Sequence, residues 1–226
     1  MNKNKIAIKL VGLEKFHKLH DGKKEYVFKN VYLDIPANKN IGVLGRNGAG
    51  KSTLLRIFGG IDFPNGGKII TEKTFSWVLA LSGGFQGSLS GYDNAKFVAR
   101  IYGVKEKDLD KKINSIKEFS ELNKFFYEPV KTYSSGMKAK LGFAISIFFD
   151  FDYYLIDETI SVGDANFRKK CEFAINELLL NKNIIMVSHD LNVMKRMCDI
   201  ILLVDNQTII KYDNVEEGIK AYQNLL

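Results

Sequence analysis

Apolar residues cluster along this chain in two ways, and four short runs are apolar almost throughout. Such runs are typical of strands that are buried on both faces of a sheet. The four runs are Ile41–Leu44, Tyr153–Ile156, Ile184–Val187 and Ile200–Val204. Segments with helical spacing lie between them, and this alternation predicts an α/β fold with a largely parallel sheet. Ligands of such sheets bind at the carboxyl ends of the strands.

Other segments have the pattern of strands with one buried face. Val31–Ile35 alternates apolar and polar residues, Ile6–Leu10 is strand-like, and Lys68–Ile70 begins a strand after a stretch rich in Gly, Pro and Asn. These strands predict an antiparallel sheet that flanks the parallel one. The spacing of apolar residues over Val215–Leu226 predicts a closing amphipathic helix.

The middle of the chain has a helical pattern. Ser90-Gly91-Tyr92-Asp93 is typical of a capping box, and apolar residues at helical spacing follow it up to Tyr102. Leu109, Ile113 and Ile116 mark a second helix with a Lys/Glu outer face. We therefore predict one domain over residues 1–226, with a core at about 1–81 and 141–226 and an inserted helical subdomain at about 82–140.

A glycine-rich stretch between the first buried strand and a helix points to phosphate binding. The residues have the pattern G-x-x-x-x-G-K-[ST], with the flanking strand and helix that this motif requires. Backbone N–H groups of such a loop curl around a polyphosphate, the lysine reaches the β- and γ-phosphates, and the hydroxyl after it ligates Mg²⁺. We predict that the chain binds a nucleoside triphosphate with Mg²⁺ through Gly45, Arg46, Asn47, Gly48, Ala49, Gly50, Lys51, Ser52 and Thr53, with Ser52 on the metal.

Polar residues follow two of the other buried strands. Asp157 comes directly after the run at Tyr153–Ile156, a place where a carboxylate holds Mg²⁺ directly or through water. Glu158, the next residue, could deprotonate the attacking water. His189 follows the run at Ile184–Val187 and could contact the γ-phosphate. Asp164 is either a turn acid or a residue at the contact between two copies of the domain.

Composition and charge indicate the type of protein and its compartment, but they do not determine its function. The chain has 226 residues, 26% of them charged and 46% hydrophobic, which is ordinary globular composition. The net charge of +7 suits either a nucleic-acid partner, an anionic membrane or a lysine-rich exterior, and no basic stripe interleaved with aromatic residues stands out. The apolar run at Leu141–Phe149 is too short to cross a bilayer, and Cys171 and Cys198 lack metal-ligand spacing. We expect free thiols and a cytoplasmic protein.

Taken in order, these motifs resemble the ATPase domains of ABC transporters. Tyr133-Ser134-Ser135-Gly136-Met137 is similar to the LSGGQ signature of that family, with Tyr133 in place of leucine. The resemblance covers essentially the whole chain. It implies a P-loop NTPase core with an antiparallel β subdomain and an inserted helical subdomain. It also implies a homodimer, in which Ser134, Ser135 and Gly136 contact the nucleotide of the opposite copy and Asp164 lies near the contact.

The resemblance leaves two positions open. The family's loop glutamine falls near Leu81 by counting back, and Gln86, several residues later, is the candidate for its role. The aromatic residue that stacks on adenine aligns best with Phe16, with His17 and Tyr26 as alternatives.

A narrower resemblance joins the segment Trp77–Gly91 and the variant signature to the ATP-binding subunits of bacterial capsular polysaccharide exporters. It implies an integral-membrane permease partner, a place on the cytoplasmic face of the inner membrane, and a glycan contacted by the permease. No direct nucleic-acid contact is expected. The alternatives are an ABC ATPase for another transported substrate and an ABC-type ATPase that acts on nucleic acid, which the basic charge would suit.

Overall fold

The computed structural model describes residues 5–79, 85–157, 164–179 and 182–226. Within these ranges the strands are β1 (Ile6–Lys18), β2 (Lys24–Pro36), β3 (Ile41–Leu44), β4 (Gly66–Thr71), β5 (Phe75–Leu79), β6 (Tyr153–Asp157), β7 (Asn183–Val187), β8 (Ile200–Asp205) and β9 (Thr208–Tyr212). The α-helices are α1 (Lys51–Phe58), α2 (Gly91–Ile101), α3 (Glu106–Ser120), α4 (Ser135–Ile147), α5 (Ala165–Leu179), α6 (Leu191–Met197) and α7 (Val215–Gln223). Short 3₁₀ turns lie at Asn123–Tyr127 and Val130–Thr132.

The described residues fall into two compact units. The first takes its described residues from 1–78, 151–158 and 182–226, and the second from 79–150 and 159–181. The single ABC ATPase domain with a helical insertion at about 82–140 stays a prediction.

The first unit contains a six-stranded sheet in the order β5-β6-β7-β3-β8-β9. β3 pairs in parallel with β7 and β8, and β8 pairs antiparallel with β9. Every residue of β3 is buried, as its apolar sequence predicts. The predicted α/β fold with a largely parallel sheet is therefore confirmed, and β3 delivers its carboxyl end to the phosphate loop.

Asn40 joins three strands of this sheet just before β3 begins. Its side-chain oxygen accepts the backbone N–H of Ile184 on β7 (3.1 Å), and its carbonyl oxygen accepts the N–H of Ile200 on β8 (3.2 Å). Its own N–H donates to a carboxylate oxygen of Asp199 (2.7 Å). These bonds set the register of the central strand against both neighbours.

The predicted antiparallel sheet is also present, in the order β2-β1-β4. β1 is 13 residues long, whereas the sequence pattern predicted a strand only over Ile6–Leu10. Register shifts between Leu10 and Leu13, around Gly12, break the alternation of buried and exposed residues. A strand with a bulge keeps pairing beyond the point where its period-2 pattern ends, and this explains the difference.

The second unit is helical in its described part, and aromatic rings fill its core. Phe119 of α3 lies 5.9 Å from Phe143 of α4 and 5.8 Å from Phe167 of α5, measured between ring centroids. Phe143 and Phe167 are fully buried. Pairs of this geometry stabilise a core beyond the burial of apolar area alone.

Among the described residues, no helix combines the length and apolar character that a bilayer crossing requires.

Candidate functional site

The phosphate loop follows β3 and opens α1, as predicted. Gly50 is the residue before the helix and has a φ of 110°, a left-handed conformation that glycine adopts without steric cost. Arg46, Asn47 and Gly48 are exposed, and Ala49 is half-buried. The loop therefore presents backbone N–H groups and the positive end of a helix to solvent, which is the arrangement that binds phosphate.

Lys51 crosses the inside of this loop. It is 9% exposed, and its ammonium group donates hydrogen bonds to the carbonyl oxygens of Gly45 (2.8 Å) and Arg46 (3.0 Å). Burial lowers the pKa of Lys51, and the negative charge of Asp157 partly opposes that shift. A cation held by weak neutral acceptors can exchange them for phosphate oxygens, so the geometry fits the predicted role.

Asp157 ends β6, which pairs with β7 at Asp157 and Val187. Its charge acts on Lys51, and both residues belong to the first unit. The exposed Ser52 follows Lys51 directly. Among the described residues no group of three or more His, Cys, Asp or Glu side chains could hold a metal. One hydroxyl and one carboxylate nevertheless suit Mg²⁺, since this ion keeps several waters and takes further ligands from substrate phosphates.

Glu158, the predicted base, lies outside the described residues, as does Leu81. His189 lies two residues beyond the end of β7 and is exposed. β6 and β7 are parallel neighbours in the sheet. Asp157 at the end of β6 and His189 just after β7 therefore lie at the carboxyl ends of adjacent strands. The next residue, Asp190, caps α6 by accepting the backbone N–H groups of Asn192 (2.9 Å) and Val193 (3.2 Å).

A cavity of about 330 Å³ adjoins the phosphate loop. It is lined by His17, Glu25, Tyr26, Val27, Gly48, Ala49, Gly50, Thr53, Asn206 and Gln207. His17 and Tyr26, two of the three residues predicted as candidates for stacking on adenine, thus line this cavity. The third, Phe16, packs its ring 5.3 Å from that of Tyr26, under the ammonium of Lys24. Stacking of adenine on Phe16 stays a prediction, and the lining makes Tyr26 and His17 the better placed alternatives.

The remaining predicted residues belong to the second unit. Ser134 caps α4, and its hydroxyl oxygen accepts the backbone N–H of Met137 (3.2 Å). Ser134 and Ser135 are exposed, and Gly136 is half-buried in the first turn. An exposed helix N-terminus with a serine at its cap is suited to an anion, as the signature-like sequence predicts.

Asp164 precedes α5 and is held from two sides. One carboxylate oxygen accepts the backbone N–H groups of Asn166 and Phe167 (both 3.0 Å), and the other lies 3.3 Å from the ammonium of Lys140. The hydrogen bond from the Phe167 N–H is the main reason that the pKa of Asp164 is lowered, and the hydrogen bond from Lys140 is the second. Lys140 also lies 3.5 Å from Glu121. Lys140 therefore links α4 to the start of α5.

Gln86 is exposed, and its backbone is anchored by the buried Asn94 of α2. Its N–H donates to the Asn94 side-chain oxygen (2.9 Å), and its carbonyl accepts the Asn94 amide (3.2 Å). Sequence reasoning singled out neither Asn94 nor Lys140. The predicted residues therefore form two groups, one in each unit: the phosphate loop, Asp157 and His189 in the first, and Gln86, Ser134–Gly136 and Asp164 in the second.

Comparison with known proteins agrees with this geometry. The family model described as "ABC transporter" matches residues 28–161. The polysialic acid transport ATP-binding protein KpsT of Escherichia coli is 50% identical over 222 residues, covering 96% of this chain and 98% of KpsT. The capsule polysaccharide export ATP-binding protein CtrD of Neisseria meningitidis serogroup B is 44% identical over 199 residues, covering 88% of this chain and 91% of CtrD. A solved ATP-binding subunit of an ABC transporter has the same fold, with a TM-score of 0.75 at 18% identity over 96% of this chain and 93% of that one.

Proposed function

Because the chain belongs to the ABC transporter family of ATP-binding proteins, we propose that it is the ATP-hydrolysing subunit of an exporter for capsular polysaccharide. The observation that carries this proposal is the similarity, over nearly the full length, to proteins named for polysialic acid transport and capsule polysaccharide export. The exposed loop, the buried Lys51 and the neighbouring Asp157 support nucleotide binding as the source of energy.

In the proposed reaction, the first unit binds the triphosphate. Backbone N–H groups of the loop and the ammonium of Lys51 hold the phosphates, while Tyr26 or His17 lies beside the base. Ser52 and Asp157 would hold Mg²⁺, which neutralises charge on the β- and γ-phosphates when it is bound. Glu158 takes a proton from the attacking water, and His189 contacts the γ-phosphate.

The second unit would complete the site of a partner copy. Ser134 and Gly136 at the exposed start of α4 offer a hydroxyl and backbone N–H groups to the γ-phosphate held by the opposite protomer. Asp164, fixed by Lys140, would lie near the contact between the copies. ATP binding then closes the homodimer, and hydrolysis reopens it.

Closure of the dimer would do work on a membrane partner. We place the protein on the cytoplasmic face of the inner membrane, bound to an integral-membrane permease that contacts the glycan. The segment around Gln86, anchored on Asn94 at the start of α2, is the part of the second unit that we assign to relaying the nucleotide state to the permease.

The test is deletion of the gene in its own bacterium, followed by complementation. We expect surface glycan to disappear and to accumulate inside the cell, and we expect the wild-type gene to restore export. Lys51→Met should fail to restore it, while Lys68→Met, which changes an exposed lysine of β4 in the same unit, should succeed. Normal surface glycan in the deletion strain would contradict the proposal.

A further inference from the structure

Two segments of the second unit, one at the start of α2 and one just before α4, are paired with each other. Residues 87–91 lead into α2, and residues 129–133 lead into α4. We call this pairing the strap. Its contacts are a hydrogen bond from the N–H of Lys131 to the carbonyl of Gly87 (2.8 Å), one from the N–H of Val130 to the carbonyl of Leu89 (2.9 Å), and an antiparallel bridge between Ser90 and Pro129.

Tyr133 closes one end of the strap with its side chain. The residue is 5% exposed, and its hydroxyl donates a hydrogen bond of 2.5 Å to the carbonyl oxygen of Phe125. The backbone of Gly91 lies close against the same hydroxyl group. The hydroxyl oxygen of the residue before the cap of α4 therefore contacts both the first residue of α2 and the 3₁₀ turn at Asn123–Tyr127.

The fit around this oxygen is tight. A Cβ atom built on Gly91 would lie 2.6 Å from the Tyr133 hydroxyl oxygen and 3.0 Å from the carbonyl oxygen of Phe126. Only glycine at the start of α2 permits this approach. A leucine, which the family signature has at position 133, could fill the same space but could not donate a hydrogen bond to the Phe125 carbonyl.

We propose that Tyr133 is a positioning residue, whose hydroxyl fixes the start of α4 so that Ser134 and Gly136 meet the γ-phosphate of the partner copy. This inference rests on the function proposed above. Ser134 follows Tyr133 directly, so the position of the Tyr133 backbone determines where the cap hydroxyl and the first N–H groups of α4 lie. Through the strap, the same hydroxyl ties this start to the segment that carries Gln86.

Position matters at such a contact because phosphate recognition by a helix N-terminus depends on several N–H groups pointing at one place. A displacement of about 1 Å in groups that orient a substrate can cost roughly a hundredfold in rate. Loss of the hydroxyl would leave the Phe125 carbonyl without its donor and open a gap beside Gly91, so the backbone on both sides would relax.

The experiment compares Tyr133→Phe with Tyr127→Phe in the purified full-length chain. The control removes the hydroxyl of another tyrosine in the same unit, Tyr127, which is 55% exposed and accepts a hydrogen bond from the Lys117 ammonium (3.3 Å). We expect Tyr133→Phe to lower ATP-dependent pairing and turnover at saturating ATP about tenfold, and Tyr127→Phe to leave both near wild type. Binding of a fluorescent ATP analogue to single chains, at protein concentrations too low for pairing, should stay within about twofold of wild type in both variants.

A second pair of variants covers the case in which Tyr133→Phe folds poorly. Gly91→Ala keeps the hydroxyl but pushes it away, and it should lower pairing and turnover in the same way. In the Tyr133→Phe background Gly91→Ala should cost less, because the 2.6 Å approach to the oxygen no longer exists. Equal costs in the two backgrounds would contradict the proposal.

The possible results separate this inference from the proposed function. If the wild-type chain hydrolyses ATP and pairs, and Tyr133→Phe behaves like Tyr127→Phe, the inference is wrong and the function stands. If Tyr133→Phe weakens single-chain ATP binding as much as turnover, Tyr133 only maintains the fold, and the inference is again wrong. If the wild-type chain neither hydrolyses ATP nor pairs, the proposed function fails and the inference fails with it.

Discussion

A Cβ atom built on Gly50 would lie 2.4 Å from Cγ1 of Val27, so the end of the phosphate loop lies directly against strand β2. Gly48, two residues earlier, also has a positive φ (79°), but a Cβ atom there would have no neighbour within 4 Å in the described structure. The two glycines therefore differ in packing while sharing a left-handed backbone.

This difference predicts different costs for alanine at the two positions. Gly48→Ala should lose about 1 kcal/mol of unfolding free energy from the left-handed backbone alone. Gly50→Ala should lose about 3 kcal/mol, because the methyl group adds a clash with Val27 to that strain. Urea unfolding of both variants, followed by circular dichroism, measures the difference. Equal unfolding midpoints for the two variants would show that the contact between Gly50 and Val27 adds no cost.

Lys51→Met should weaken nucleotide binding. The substitution keeps an apolar stem inside the loop but removes the charge that would bind phosphate oxygens. Hydrogen bonds to charged groups contribute about 1.5–3 kcal/mol, so affinity for ATP should fall roughly tenfold to a hundredfold. Isothermal titration with ATP and Mg²⁺ measures it, and Lys68→Met on the exposed side of β4 is the matched control. Unchanged affinity in Lys51→Met would exclude the assigned role.

Glu158→Gln should separate ATP binding from hydrolysis. The amide cannot take a proton from water, so turnover should fall roughly 10²–10⁴-fold while ATP still binds. Because the reopening step would be blocked, the variant should remain an ATP-bound dimer in size-exclusion chromatography with light scattering. Glu172→Gln, on the exposed side of α5, is the control and should turn over ATP at the wild-type rate. A Glu158→Gln chain with wild-type turnover would show that the base is another residue.

Asp152 provides a pH-dependent contribution to stability at the start of β6. Burial raises the pKa of its carboxyl, but the hydrogen bonds from Thr74 and Lys73 outweigh this effect, and the net pKa is lowered. The carboxylate oxygens lie 2.9 Å from the Lys73 ammonium and 2.9 Å from the Thr74 N–H. A lowered pKa in the folded state stabilises the fold above the unfolded-state pKa, and that contribution is lost as pH falls through the folded-state pKa.

We therefore expect Asp152→Asn to cost about 1 kcal/mol of unfolding free energy at pH 7, since the ion pair is partly exposed. The cost should shrink as pH falls below the ordinary carboxyl pKa of about 3.9. Urea midpoints from pH 7 to about pH 2.5 measure it, because this range passes below the ordinary pKa towards the lowered one, with Asp110→Asn on the exposed side of α3 as the control. A cost that stays constant across this range would show that the charge of Asp152 contributes nothing.

The sequence predicts the elements around the phosphate loop well, because each carries a local signal. β3, β6, β7 and β8 are short apolar runs, and a glycine-rich turn with a lysine has few other uses. β1 was predicted too short, since the bulge near Gly12 hides its continuation from a period-2 pattern. Pairing with two partner strands holds the extra residues, and such pairing is not a local property of the sequence.

The contacts that organise the second unit could not be predicted in the same way. Lys140 meets Asp164 across 24 residues, and Asn94 anchors Gln86 through its side chain rather than through a motif. The tyrosine at position 133 is visible in the sequence as a departure from the signature, but its partners Phe125 and Gly91 are not. These are consequences of how the helices pack, so only coordinates reveal them.

The position of β3 has a consequence for how the protein is made. This strand lies at the centre of its sheet, yet its two neighbours, β7 and β8, are among the last strands to leave the ribosome. At about 5–20 residues per second, roughly 10–30 seconds pass between the synthesis of β3 and that of β8. During that interval the backbone of β3 lacks the two strands that pair with it, and a nascent chain stalled before Ile200 should depend on chaperones to avoid aggregation.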